Sequence, residues 1–212
     1  MELYAVVLAR WPDIAKGFTQ HVELTLVALF FSIIIAFPLG IILTRHRKIA
    51  GSVIGVTSVA QTIPSLALLG VMIPLLGIGF VPAIVALTIY GLLPIVRNTY
   101  TGIVGVDQAA VEAGIGMGMT PNQVLIMVEI PQSLSVIMAG IRTSTVLIIG
   151  VATLAALIGA GGLGDMIFRG ISMSSNDLIL SGAIPAAMLA LIFDYIFKLI
   201  EIKVTPRGGR AN

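Results

Sequence analysis

Cysteine is absent from the 212 residues. That excludes disulfides and thiolate metal sites, and it leaves the redox compartment unread. Charge is scarce: 10% of the residues are Asp, Glu, Lys or Arg, against about 25% in an ordinary soluble domain. A soluble fold of this length would have too little charge to cover its surface. Aromatic residues make up 6% of the chain, with a single tryptophan. The apolar stretches carry no acidic cluster, so no aromatic cage for a cation is evident. The two histidines, His21 and His46, are not spaced with carboxylates as metal ligands are, and both read as interfacial residues at the ends of apolar runs. No G-x-x-x-x-G-K-[ST] loop is present to cradle ATP, and no G-x-S-x-G elbow or paired catalytic set suggests an enzyme. The net charge of +2 is spread over scattered basic residues, which gives no footprint for nucleic acid.

What the chain does contain is apolar. Hydrophobic residues make up 58% and the mean hydropathy is +1.08, so lipid must be part of its solvent. Apolar residues on all faces exclude a membrane barrel, whose strands alternate. The expected fold class is all-α and polytopic, a single transmembrane domain over residues 1–212. A membrane helix needs about 20 apolar residues, because roughly 30 Å of hydrocarbon is crossed at 1.5 Å per residue.

Five spans follow. Residues 24–44 are uncharged and stop at Arg45-His46-Arg47-Lys48. Residues 49–96 are uncharged and about twice the length one helix requires, and they divide at the turn composition Gly77-Ile78-Gly79-Phe80-Val81-Pro82. Residues 134–159 and 178–197 are the fourth and fifth spans, with polar connections over 98–131 and 161–177. The start of the chain, Met1 to Lys16, has neither a basic start nor a small-residue cleavage site, so it does not read as a removable signal peptide.

Basic residues set the orientation. Arg45, Arg47, Lys48, Arg97, Lys198, Lys203, Arg207 and Arg210 fall on one side of these spans. Arg10, Lys16 and Arg169 fall on the other. The excess predicts a cytoplasmic C-terminus and a cytoplasmic 98–131 loop, with the N-terminus outside.

The loop has clear local signals. Asp107 can cap a short helix over 108–113, with Gly114 expected to end it. Thr120-Pro121-Asn122-Gln123 spells a capping box with proline in the first turn, and Pro131 is expected to end the second helix. Gly114, Gly116 and Gly118 lie between the two helices and would let another surface approach the backbone. The residues alone leave two readings open: a docking surface, or an amphipathic loop on the lipid surface.

Glu112-Ala113-Gly114, three residues, Gly118, nine residues and Val128-Glu129-Ile130-Pro131 resemble the EAA signature of ABC importer permeases. That pattern runs E-A-A, three residues, G, nine residues, I-x-L-P. Gly114, Val128 and Ile130 depart from it while keeping size or apolar character. The segment Gln61-Thr62-Ile63-Pro64-Ser65-Leu66-Ala67-Leu68-Leu69-Gly70 resembles the second span of permeases for glycine betaine, carnitine or choline. Leu92-Leu93-Pro94-Ile95-Val96-Arg97-Asn98-Thr99-Tyr100 is similar to their third span. Gly159-Ala160-Gly161-Gly162-Leu163-Gly164 is shared more widely, including with methionine importers.

The resemblance implies the type I ABC importer permease fold, with residues 98–133 as a cytoplasmic coupling loop. Glu112, Ala113, Gly114 and Gly118 would then dock on an ATPase. It further implies cytoplasmic ABC ATPase subunits that use ATP and magnesium, none of which this chain binds itself. A second permease copy or paralogue, an extracellular substrate-binding protein and the lipid of a bacterial plasma membrane complete the expected partners. The implied cargo is a quaternary-ammonium compatible solute, with methionine or another small solute as the alternative.

Other features weigh less. Gly159 to Gly164 also spells G-x-G-x-x-G, but a membrane span precedes it where a dinucleotide site needs a strand. Gly51-x-x-x-Gly55 could allow close helix packing, within the subunit in preference to a dedicated dimer contact. Gln61, Thr62 and Ser65 surround Pro64, which should kink the second span, and these four residues are the candidate translocation path. The opposing reading is that the hydroxyls only satisfy carbonyls freed by the kink. Arg142 would snorkel to the cytoplasmic interface, Asp194 and Lys198 could pair on one helix face, and Met117, Met119 and Met127 could equally form an adaptable docking face or simply pack. A self-sufficient carrier or channel is disfavoured by the small number of spans and the lack of a mid-span acid relay.

The charge asymmetry generates the first prediction. In intact cells a protease or a reporter fusion should find the C-terminal end inside and the N-terminal end outside. An N-terminus protected from outside together with an accessible tail would contradict the orientation.

Overall fold

In the computed structural model, residues 3–205 are described; Arg207 and Arg210, two of the basic residues used above for orientation, lie outside them. Among the described residues there is no strand. The helices are α1 (Leu3–Ala9), α2 (Trp11–Arg45), α3 (Arg47–Thr62), α4 (Ser65–Leu76), α5 (Phe80–Val104), α6 (Gln108–Gly116), α7 (Pro121–Val124), α8 (Ile130–Ala155), α9 (Gly164–Ser172) and α10 (Asn176–Val204). Four helices are long and apolar enough to cross a membrane: Trp11–Arg45, Phe80–Val104, the continuous Pro121–Ile158 and Asn176–Val204. The pair α3 and α4, bent by 93°, makes a fifth if counted as one broken span.

The centre of the bundle is α5, with 15 of its 25 residues buried. It packs between α2 and α8. The periphery is α10, with 4 of 29 residues buried; Leu191, Tyr195 and Met188 point outward, as suits a helix whose surroundings are hydrocarbon or another membrane subunit. Leu24, Leu87, Ile95 and Ile148 fill the space between α2, α5 and α8.

Small polar side chains also bind these three helices together. Ser32 Oγ donates to the Thr88 carbonyl at 3.1 Å, and Ser144 Oγ donates to the Gly91 carbonyl at 3.0 Å. Both reach α5 because position 91 has no side chain: a Cβ there would overlap Ser32 Oγ and lie 2.8 Å from Ser144 Oγ.

Several sequence expectations change in the structure. The first span starts at Trp11 rather than at 24. The 159–164 loop packs against one face of the segment 13–23: Gly162 N donates to Gln20 Oε1 at 3.1 Å, and the close approach of Gly17 to the Gly162 carbonyl leaves little room between the segments. His21 is therefore fully buried rather than interfacial, with Nε2 3.1 Å from the Ile149 carbonyl.

Pro64 does more than kink its span; it separates α3 from α4. The expected turn at 77–82 is present, with Gly77 and Gly79 at positive φ and Gly79 N donating to the Ile158 carbonyl at 2.7 Å. The connection 161–177 contains α9. Gly51 and Gly55 do not pack within the subunit, since nothing lies within 4 Å of a Cβ at either.

Replacing Gly91 by Val should cost about 1–3 kcal/mol by overpacking the α2–α5–α8 contact. Gly150→Ala, at a helical site with nothing within 4 Å, should be neutral or slightly stabilising. Thermal unfolding in detergent checks both, and a Gly91→Val protein as stable as the parent would contradict this packing.

Candidate functional site

Three regions bring polar residues together in a way that packing alone does not require: the loop between α5 and α8, the break between α3 and α4, and the facing sides of α8 and α10.

In the loop, Asp107 caps α6 through Oδ1, which accepts from Ala109 N at 3.0 Å. The Thr120–Gln123 capping box forms in full: Gln123 N donates to Thr120 Oγ1 at 3.4 Å and Thr120 N donates to Gln123 Oε1 at 2.8 Å. Gly114 does not end α6. The helix runs on to Gly116, and Gly118 at φ +83° turns the chain. Gly114 instead faces inward, where a Cβ would lie 3.3 Å from Met119 Sδ and 3.5 Å from Val128 Cγ2, so it seats α6 on the following helix.

Glu112, Ala113 and Gly118 are exposed, and Glu112 Oε1 is 3.5 Å from Gln108 Nε2. Nothing lies within 4 Å of a Cβ at Gly116 or Gly118. Met117 and Met127 are exposed beside Ile115 and Ile126, whereas Met119 packs on Gly114.

Pro131 does not end the second helix. A π-helical turn, Leu125–Glu129, joins α7 to α8, and Ile130 N bonds to the Leu125 carbonyl five residues back. A proline removes one i→i−4 bond and clashes with that carbonyl; the wider π turn just ahead of it carries the chain past the clash. Sequence reasoning missed the consequence for Glu129. Its side chain is 9% exposed and paired with Arg45 of α2, Nη2 to Oε2 at 2.6 Å and Nη1 to Oε1 at 3.3 Å.

The break between α3 and α4 holds the four candidate path residues. Thr62 and Pro64 are exposed, and Gln61 and Ser65 half-buried. The Thr62 hydroxyl donates to the Val59 carbonyl at 2.7 Å, so this one side chain does satisfy its own helix. The Ile63 carbonyl accepts from the Tyr90 hydroxyl of α5, and the Pro64 carbonyl accepts from Leu68 N at 3.0 Å. Among the described residues, Gln61 and Ser65 have no side-chain partner. Tyr90, which holds the break from the neighbouring helix, carried no sequence signal because its partner is a backbone carbonyl 27 positions away.

A third cluster lies between α8 and α10. Arg142 takes Asp194 from its expected partner Lys198. Its Nε donates to Asp194 Oδ1 at 3.0 Å, its Nη2 to Oδ2 at 3.1 Å, and its Nη1 to Glu201 Oε2 at 3.1 Å. A planar guanidinium matches a carboxylate two bonds at a time, and an arginine inside a span needs such partners. Among the described residues no group of three His, Asp or Glu side chains converges as a metal would require.

These features define a helical membrane subunit of the type I importer permease fold. One chain of the MetNI methionine ABC transporter in an inward-facing conformation superposes with a TM-score of 0.85 over 93% of this chain and 99% of that one, at 23% identity. The chain belongs to the family described as binding-protein-dependent transport system inner membrane component, which matches residues 23–206. Relatives in Bacillus subtilis (strain 168) include the choline transport system permease protein OpuBB, 51% identical over 89% of this chain and 87% of that protein. Another is the glycine betaine/carnitine/choline transport system permease protein OpuCB, 53% identical over 89% of this chain and 87% of that protein.

Proposed function

We propose that this chain is the membrane-spanning pore subunit of an ATP-driven importer for quaternary-ammonium compatible solutes: glycine betaine, carnitine or choline. The observation that carries the substrate class is identity above 50% over nearly the whole length to the two Bacillus permeases. The likeness to a methionine transporter is one of fold at 23% identity, so methionine is the weaker reading.

The chain acts without an ATPase site of its own. ATP and magnesium are used by cytoplasmic ABC ATPase subunits, and the 98–133 segment is the cytoplasmic loop that docks on them. Exposed Glu112, Ala113 and Gly118 form the contact, and Gly114 holds α6 in place beneath them. The exposed Met117 and Met127 suit an adaptable apolar rim.

The path runs past the Thr62–Ser65 break. Unpartnered polar side chains are costly in hydrocarbon, so Gln61 and Ser65 fit a water-filled passage or a second permease copy better than lipid. With no cation cage in the spans, affinity comes from an extracellular substrate-binding protein, and the pore binds weakly enough to release its cargo. The membrane is the plasma membrane of a bacterium, with the C-terminus in the cytoplasm.

Uptake of labelled betaine, carnitine, choline and methionine into proteoliposomes tests this reading, using the full complex with ATP inside. Transport of at least one quaternary amine, dependent on ATP and on the binding protein, is expected. Transport of methionine but of no quaternary amine would overturn the substrate class; transport by this chain alone would overturn the mechanism.

A further inference from the structure

Glu129 is a nearly buried carboxylate that the proposed docking of the loop does not use. It fills the open position of the Val128-Glu129-Ile130-Pro131 segment, and its partner Arg45 lies 84 positions away. What matters is which elements the pair joins. Glu129 is the last residue of the π turn, and helix runs without interruption from Pro121 to Ile158. A displacement of α7 therefore reaches Glu129 as movement of one helix and is not lost in a flexible segment.

Arg45 is the last residue of α2, and only His46 separates it from α3, which ends at the Thr62–Ser65 break. Little other contact joins the π turn itself to α2, which the same helix next meets farther along, through α8. An apolar contact resists compression but parts under tension. A two-point, charge-assisted pair between a guanidinium fork and a carboxylate holds in both directions. π turns recur at functional positions in helices, where they adjust the aim of a side chain.

We infer that the Glu129–Arg45 pair is the link that carries movement of the 98–133 loop to the junction of α2 and α3, with Glu129 a positioning residue for coupling. This rests on the reading that the loop docks on an ATPase.

The test uses the complete transporter in proteoliposomes, with uptake and phosphate release measured in the same vesicles. Glu129→Gln removes the charge at nearly constant shape, and Arg45→Lys keeps the charge but loses the fork. Both variants should co-purify with the ATPase at the parent ratio and still hydrolyse ATP. Both should move about tenfold less solute per ATP. The exchanged pair, Arg45→Glu with Glu129→Arg, should regain about a third of the parent ratio, the signature of direct interaction in a double-mutant cycle.

A pair that only staples the fold would lower uptake and hydrolysis together, with the ratio unchanged; that result overturns the inference, as does an exchanged pair no better than either single variant. If Glu129→Gln cannot be recovered folded, Arg45→Lys decides by the same ratio. Failure of the docking reading looks different. Glu112→Ala combined with Gly118→Leu would then co-purify and transport like the parent, whatever Glu129 does.

Discussion

Hydrocarbon offers no hydrogen-bond partners, so each backbone group freed by a break and each charge carried into the bundle has to be satisfied by the chain itself or by a neighbouring subunit. That constraint organises this structure. Where Pro64 parts α3 from α4, the Tyr90 hydroxyl of the central helix accepts the role of donor to the Ile63 carbonyl. Arg142 is held by two carboxylates of α10, and Glu129 by Arg45. Each of these partners belongs to a different helix or a different turn, so the polar groups fix how the helices sit as well as being satisfied by them.

The same constraint separates the scaffold from the working parts. The α2–α5–α8 contact is closed by Gly91 and the serine hydroxyls, which are spent on α5 carbonyls. The α3–α4 pair is otherwise mostly exposed, and its bend carries Gln61 and Ser65 without partners. A buried three-helix centre with a bent, polar flank suits a subunit whose path lies at its edge, as proposed above. The loop that would receive work from an ATPase joins that centre through the unbroken helix from Pro121 to Ile158.

Local signals were legible in the sequence, and long-range partners were not. The caps at Asp107 and Thr120 need only residues two or three positions apart, and both form as read. The turn at Gly77 and Gly79 and the apolar spans are likewise local. The errors share a physical cause. The first span was begun at 24, where the uncharged run starts, and the 159–164 loop that packs on one face of the preceding helical segment lies about 140 positions away. Asp194 was assigned to Lys198 because no pattern announces a partner 52 positions distant. Pro131 was read as a stop because a π turn has no sequence signature that offsets a proline.

The central claim is that the Thr62–Ser65 break faces a passage and not lipid. Because the chain has no native cysteine, a label on this subunit reports on a single introduced cysteine. Thr62→Cys and Ser65→Cys should react with a membrane-impermeant thiol reagent in the assembled transporter, at rates that differ between the ATP-free and ATP-trapped states. Val56→Cys and Leu75→Cys, at outward-facing apolar positions, should stay unreactive in both. Cysteines at 62 and 65 that react no faster than those at 56 and 75 in either state would contradict the account.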